Sequence, residues 1–228
     1  MKRAIALAVV VAAAAVIAAW AEEAPVTVDS IVATVHNDII TLEDIRLEGD
    51  ILRHNGLWFT QVEPPAEITP KLVFEEILAR RLLYFQAVKM GFVDVPDSDL
   101  NEEAEAFRSS FSNLDEYRAW LRKFELRDED VAISDLPAYA SYPSIRQRFR
   151  QRLVIEQYLS KKIGIQIKIG LSDYFEEHRA ALVAAHPGDT PEHLRELARR
   201  QFYLERLQAH LLELRAQTTV VILRAEFR

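Results

Sequence analysis

The residues best suited to chemistry are three histidines in the last third of the chain, His178, His186 and His193. Zinc enzymes place histidine ligands at fixed spacings such as HExxH, and neither that motif nor any cysteine occurs here. Glu176 and Glu177 directly precede His178, but adjacent residues on a helix point in different directions and make a poor acid–base pair. The pattern favours solvent-facing histidines, and we expect no catalytic residue, no metal and no cofactor.

Four arginines alternate with other residues along one predicted helix: Arg146, Arg148, Arg150 and Arg152. Residues two apart do not share a helix face, so these side chains do not form one basic stripe. They could contact phosphate or acidic segments of another chain, or pair with carboxylates of the same chain such as Glu156. The chain has 35 acidic and 28 basic residues and a formal net charge of -7, which argues against a nucleic-acid partner.

Apolar and aromatic residues also stand in two loops. Leu57, Trp58 and Phe59 lie in a proline-rich loop, and Tyr139 and Tyr142 lie in a second one. Aromatic residues in loops are harder to explain as core than aromatic residues on helices, and exposed apolar groups can bind apolar parts of another polypeptide. We therefore predict these five as binding residues, with folding back onto the protein's own core as the alternative.

The first segment has the parts of a secretory signal peptide in their usual order. Lys2 and Arg3 are followed by an apolar run at 4–19, and a small-x-small pattern ends at Ala21. We expect cleavage after Ala21 and export from the cytoplasm. The alternative is an uncleaved membrane anchor, because the run is close to the shortest length that spans a bilayer.

The elements that must position these side chains are mostly helical. A β-branched run at 28–35, a turn at 36–38 and a short return strand from Ile39 predict a β-hairpin. Capping residues, prolines at first helical positions and apolar spacings of three and four predict a series of helices. These helices cover 41–55, 70–90, 97–111, 113–124, a stretch that begins near 127, 144–163, 172–185 and 190–216.

Two further segments look extended. Isoleucines alternate with polar residues at 165–169, which predicts a brief extended piece, and 218–223 is a β-rich terminal strand. A strand needs partners, so we expect the terminal strand to pair with the N-terminal hairpin. The predicted fold class is mainly α, a helical bundle core with a small sheet made by the hairpin and the C-terminal strand.

Apolar residues at helical spacing are expected in the core. The aromatic members of this set are Phe107, Phe111, Trp120 and Phe124. Leucines seven residues apart occur in the last helix, at Leu197, Leu204 and Leu211 and at Leu207 and Leu214. They can pack on the chain's own bundle or pair with another chain. We predict a monomer, with a weak dimer as the alternative.

The order of elements resembles the SurA-type periplasmic chaperones, over roughly 26–224. The opening hairpin has the pattern Val28-Asp29-x-Ile31-x-Ala33-x-Val35-x-Asn37, followed by Ile39-Ile40-Thr41-x-x-Asp44-Ile45. Similar agreement is found at Ala87-Val88-Lys89-Met90-Gly91-Phe92, at Leu114-Asp115-Glu116-Tyr117, in 146–163, and at Leu211-Leu212-x-Leu214-Arg215 before Val220-x-Ile222. By this resemblance, 22–228 is a chaperone core with an N-terminal helical part at 22–170 and C-terminal helices and strand at 171–228.

The chain departs from that family at one place that matters for function. Family members usually carry parvulin prolyl-isomerase domains between the helix predicted at 172–185 and the last helix, where this chain has only six residues. The resemblance therefore implies a periplasmic holdase that binds unfolded outer-membrane or secreted proteins without isomerase activity. The alternative is an escort or assembly factor dedicated to one partner. With the leader removed, we expect no stable membrane insertion.

Overall fold

The computed structural model describes residues 30–55, 59–60, 65–127 and 145–228. Several predictions lie outside the described residues: the signal peptide at 1–21, the helix after 127, and the binding residues Leu57, Trp58, Tyr139 and Tyr142. Residues 31–228 belong to one structural unit.

Seven α-helices and three strands are formed by the described residues. In chain order they are β1 (Ile31–Val35), β2 (Asp38–Thr41), α1 (Leu42–Asn55), α2 (Pro70–Lys89), α3 (Asp97–Ser109), α4 (Leu114–Lys123), α5 (Ile145–Lys162), α6 (Gly164–Ala185), α7 (Pro191–Gln217) and β3 (Val220–Ile222), followed by a 3-10 turn (Ala225–Phe227). The predicted mainly-α fold with a small sheet is confirmed.

The sheet joins the two ends of the described chain. Its strand order is β2-β1-β3, and both pairings are antiparallel. Ala33 and Ile40 lie opposite each other and are fully buried. On the other face, Thr34 lies between Ile39 and Val221, which are both about half exposed. One face of the sheet therefore packs on the core, and the predicted pairing of the terminal strand with the hairpin is confirmed.

Every described helix except α6 begins within one residue of its predicted start. Thr41 and Asp44 form a capping box before α1, because the Thr41 N–H donates to the Asp44 carboxylate and the Asp44 N–H donates to Thr41 Oγ1, both at 3.1 Å. The side chains of Thr69, Asn113 and Thr190 accept a backbone N–H at the starts of α2, α4 and α7. These bonds satisfy donors that the first turn of a helix leaves free.

Helix α2 is the centre of the bundle. It contacts α1, α5, α7 and β1. Phe74, Ile77 and Leu83 are almost fully buried in the main core, whereas Phe85 near the C-terminal end of the helix is half exposed. Its neighbours therefore cover most of the apolar side chains of α2.

The aromatic residues at helical spacing form a second core cluster between α1, α3, α4 and α5. Phe107, Phe111 and Trp120 are buried, and the rings of Phe107 and Trp120 lie 5.2 Å apart. Phe124 is partly buried beside them. The prediction that these residues belong to the core is confirmed.

The leucines spaced by seven in α7 face the chain's own bundle. Leu207 and Leu214 lie in the main core, and Leu211 packs against it. Leu197 packs against a third cluster, formed between α6 and α7.

The prediction of an extended piece at 165–169 and a helix start at Ser172 is wrong. Helix α6 begins at Gly164, and the Ile167 N–H donates to the Ile163 carbonyl at 2.9 Å. Ile163 and Ile167 are four residues apart and face the main core, while Ile165 and Ile169 are exposed. Ile163 and Ile167 therefore lie on one stripe of a helix, and burial of that stripe decides the conformation. The predicted boundary between 170 and 171 falls inside this helix.

A search of the described ranges for membrane spans finds no helix that is long and apolar enough to cross a bilayer.

Candidate functional site

Phe59 is the one predicted binding residue that the structure describes, and its backbone is hydrogen-bonded to Glu76 of α2. The Glu76 carboxylate accepts the Phe59 N–H, the Thr60 N–H at 3.2 Å and the Thr60 hydroxyl at 2.6 Å. Phe59 is half-buried and packs against the main core. The segment 59–60 is thus held against α2 by three hydrogen bonds to one buried side chain.

Beside this segment, an open groove of about 410 Å³ runs between α2 and α7, and we call it the α2–α7 groove. Its apolar lining consists of Leu72, Leu78, Ala79, Leu82, Leu211 and Leu212. Its polar lining consists of Thr60, Glu75, Gln208 and Arg215. Arg215 and Glu75 form an ion pair across the groove at 3.2 Å. Leu212 is 69% exposed and adjoins the other leucines of this lining.

On the other side of α2 lies a cleft of about 500 Å³ between α1, the start of α2 and the end of α4, which we call the α1–α4 cleft. Ile68, Val73 and Phe124 are among its apolar lining residues. Its rim is charged, and Asp50 pairs there with both Arg53 and Lys123.

A buried ion network joins α1, α2 and α5. Glu48 of α1 accepts from Arg80 of α2 and from Arg148 of α5, and Arg148 also lies 3.4 Å from Asp44. Burial alone would raise the pKa of Glu48, but the two arginines outweigh it and hold that pKa below its ordinary value. Three helices are therefore joined around one ionised carboxylate.

The pKa of Glu76 moves the other way. Burial raises it, although the hydrogen bonds from Thr60 and Phe59 and the charge of Arg80 act against the rise. The two buried glutamates of this region thus differ in their partners: Glu48 has guanidinium groups, and Glu76 has neutral donors from the segment 59–60.

Arg146 and Arg152 of α5 also pair within the chain, in agreement with the second of the two predictions for these arginines. Arg146 donates to Asn101 at 2.9 Å and lies 3.2 Å from Asp97. Arg152 pairs with Glu103 at 2.7 Å and with Glu156 at 2.8 Å. These guanidinium groups hold α3 against α5.

The three histidines lie in and between the last two helices. His178 is in the second half of α6, His186 is in the connection, and His193 is in the first turn of α7. His178 stacks on Tyr174, with 4.0 Å between ring centroids, and its Nδ1 lies 2.9 Å from the Tyr174 carbonyl oxygen. His186 and His193 lie 3.9 Å and 3.4 Å from Asp189. Within the described ranges, no three such side chains come together where they could hold a metal ion.

Sequence reasoning missed Glu76, the ion network and the groove. One signal was available: Glu76 and Arg80 stand four residues apart between the apolar residues of the helix predicted at 70–90. Charged residues in such a position must find partners inside the fold. The partners of Glu76 are Phe59 and Thr60, and the partner of Arg80 is Glu48. These residues are too remote in sequence to be recognised from a local pattern.

No protein-family model matches this chain, and no curated protein matches it either.

Proposed function

We propose that this chain is a holdase-type chaperone of the periplasm, which binds unfolded outer-membrane or other envelope proteins and has no prolyl-isomerase activity. The observation that carries the proposal is the α2–α7 groove, which is lined by five leucines and an alanine with polar side chains among them, and which includes the exposed Leu212. The resemblance of the sequence to the SurA-type chaperones supports the same reading.

The dimensions of the groove suit a short piece of extended chain. From Leu72 to Leu82 it follows ten residues of α2, about 15 Å at the rise of an α-helix. An extended segment of about four residues has that length. Apolar side chains of the client, the unfolded protein being held, would contact the leucines, and its polar groups would meet Gln208, Glu75 and Arg215. Such binding needs no chemical step.

Two sequence features complete the proposal. The leader at 1–21 is the basis for proposing export and a periplasmic location. The connection between α6 and α7 consists of the five residues 186–190, which is far too short to hold an isomerase domain at that place. N-terminal sequencing of the exported protein tests the leader, and we expect it to begin at Glu22.

The function is tested by light scattering during dilution of a urea-unfolded porin, with and without the exported protein. A soluble, non-membrane protein serves as a second client. We expect suppression of porin aggregation near a stoichiometric ratio and weaker suppression for the soluble client. Failure to suppress either one would overturn the general holdase and leave the dedicated escort, for which co-purification with a single envelope protein is the next test.

A pair of variants tests the groove itself. Leu212→Asp places a charge on the groove rim, and Ile169→Asp makes the same type of change at a residue of α6 that is 77% exposed and lies outside the groove. Loss of one buried leucine contact corresponds to about tenfold weaker binding. We expect that loss for Leu212→Asp and wild-type behaviour for Ile169→Asp. Equal behaviour of the two variants would remove the groove from the binding site.

A further inference from the structure

The position of Glu76 is costly for a side chain that only stabilises the fold. The residue is 1% exposed, and none of the described lysines and arginines forms a salt bridge with it. Burying a carboxylate away from water costs free energy unless it is fully paired. An apolar side chain in its place would avoid that desolvation cost. Something other than bulk stability is therefore gained from a carboxylate here.

What the carboxylate gains is visible in its partners. All three donors belong to two adjacent residues, Phe59 and Thr60, which lie seventeen and sixteen positions before Glu76 in the chain. Two of these donors are backbone N–H groups, so the main chain itself is held in place. A carboxylate is the side chain that accepts several N–H and O–H donors at once, and charge-assisted hydrogen bonds are about twice as strong as neutral ones.

The segment that is held in this way forms part of the groove. Thr60 lines the α2–α7 groove together with Leu72 and Glu75, while Phe59 packs into the main core. Fixing Thr60 at this place therefore fixes one wall of the groove. The wall precedes α2 in sequence and has few other hydrogen bonds that could hold it among the described residues.

We propose that Glu76 is a buried positioning residue, which holds 59–60 as a wall of the α2–α7 groove and thereby sets the affinity of the groove for an unfolded chain. This role rests on the proposed function. Glu76 does not touch the client; it acts through Thr60, whose hydroxyl and N–H it binds.

The first test measures the wall directly, by hydrogen exchange of individual amides in the exported protein. In Glu76→Gln the amide NH2 cannot accept, so one of the three bonds is lost and the others become neutral. We expect the Phe59 and Thr60 amides to exchange about tenfold faster, while the amides in the middle of α2 keep their protection. Glu103→Gln, at a partly buried glutamate whose pKa is also raised, should leave both amides unchanged.

The second test measures binding of a fluorescent peptide that carries alternating aromatic residues, by anisotropy. We expect about tenfold weaker binding for Glu76→Gln and no change for Glu103→Gln. Thr60→Val removes only the hydroxyl donor and leaves Glu76 in place, so it tests the same wall without altering the core. We expect it to weaken binding by a smaller factor.

The outcomes separate the two proposals. Faster exchange at 59–60 together with weaker binding supports the positioning role. Unchanged exchange of the Phe59 and Thr60 amides in Glu76→Gln overturns the positioning role. The role is also overturned if these amides exchange faster but Glu76→Gln binds the peptide with wild-type affinity while Leu212→Asp binds it weakly. If the wild-type protein binds neither the peptide nor the porin, the proposed function is overturned and the positioning role falls with it.

Discussion

At the scale of single residues, the charges inside this bundle matter more than those on its surface. Glu48 is 3% exposed and accepts from Arg80 and Arg148, so one carboxylate pairs with two buried cations from different helices. Asp44 supplies the second negative charge, and it also caps α1. Removal of one member leaves a buried charge without its partner, which costs more than the pair contributes.

We expect Glu48→Gln to lower the free energy of unfolding by about 3 kcal/mol, near the low end for a broken buried pair because glutamine still accepts from one arginine. Urea denaturation at pH 7 measures the loss. Glu105→Gln is the control, since Glu105 is 72% exposed and lies 3.8 Å from Arg108. A surface pair of this kind is worth at most about 1 kcal/mol. Similar losses for both variants would contradict the role of the buried network.

His210 of α7 should make the stability depend on pH. Its Nε2 lies 2.6 Å from the Tyr158 hydroxyl of α5. Burial lowers the pKa of His210 below its ordinary value, and Lys162 acts in the same direction, while Glu213 opposes both. A depressed pKa means that the unfolded chain binds the proton first as the pH falls, so stability is lost below about pH 6.5, the ordinary pKa of histidine.

We therefore expect the free energy of unfolding to fall between pH 7 and pH 5, and His210→Gln to remove part of that slope. Urea denaturation at several pH values measures it. His186→Gln, at a histidine that is 43% exposed in the connection before α7, is expected to keep the wild-type slope. A His210→Gln slope equal to that of the wild type would show that this histidine titrates alike in both states.

At the scale of elements, α6 and α7 form a closely packed pair. The added Cβ of an alanine at Gly170 would lie 3.2 Å from Phe202 Cζ. Phe202 has little freedom to withdraw, because its ring stacks on Tyr174 with 4.6 Å between centroids. A glycine is therefore needed in the middle of α6 for the close approach of α7, although glycine weakens a helix.

Two glycines of α6 allow a matched comparison. Gly164, at the first position of the helix, has no heavy atom within 4 Å of an added Cβ. We expect Gly164→Ala to raise the free energy of unfolding by about 0.5 kcal/mol, because alanine loses less backbone entropy. Gly170→Ala should bring no such gain, because Phe202 must move. Thermal or urea unfolding distinguishes them, and an equal gain from both would argue against a tight contact.

At the scale of the whole molecule, the sheet and the last residues close the chain. After β3, the chain turns back and buries Phe227 against Phe74, with 5.3 Å between the ring centroids. Lys71 at the start of α2 donates to the Arg228 carbonyl at 2.8 Å. The terminal segment is thus fastened to both β1 and α2, and its contacts are among the least local in the fold.

We expect Phe227→Ala to lower the free energy of unfolding by about 3 kcal/mol, since it empties a site in the main core. Leu223→Ala, at a residue 53% exposed just after β3, should change it by about 0.5 kcal/mol or less. Urea denaturation measures both, and hydrogen exchange of the β1 amides reports whether the sheet opens. Wild-type stability of Phe227→Ala would mean that the terminal turn does not contribute to the core.

Local signals determined much of this fold. Threonine caps, prolines at first helical positions and apolar spacing located α1, α2 and α7 within a few residues, because such signals act over one or two turns of chain. The hairpin and its pairing with β3 followed from two isolated β-rich segments that each needed a partner. The same local signals failed at α6, where the isoleucine alternation is typical of a strand but the pair four residues apart, Ile163 and Ile167, also fits the buried stripe of a helix.

Only the tertiary structure decided which charged residues lie inside. Glu48, Glu76 and Arg148 look like ordinary surface residues in the sequence, and their burial depends on partners 17 to 100 residues away. The groove has the same origin, since Leu72 and Leu212 line one surface only because α7 returns along α2. Helix formation depends on neighbours in sequence, whereas burial of a charge and the shape of a groove depend on neighbours in space.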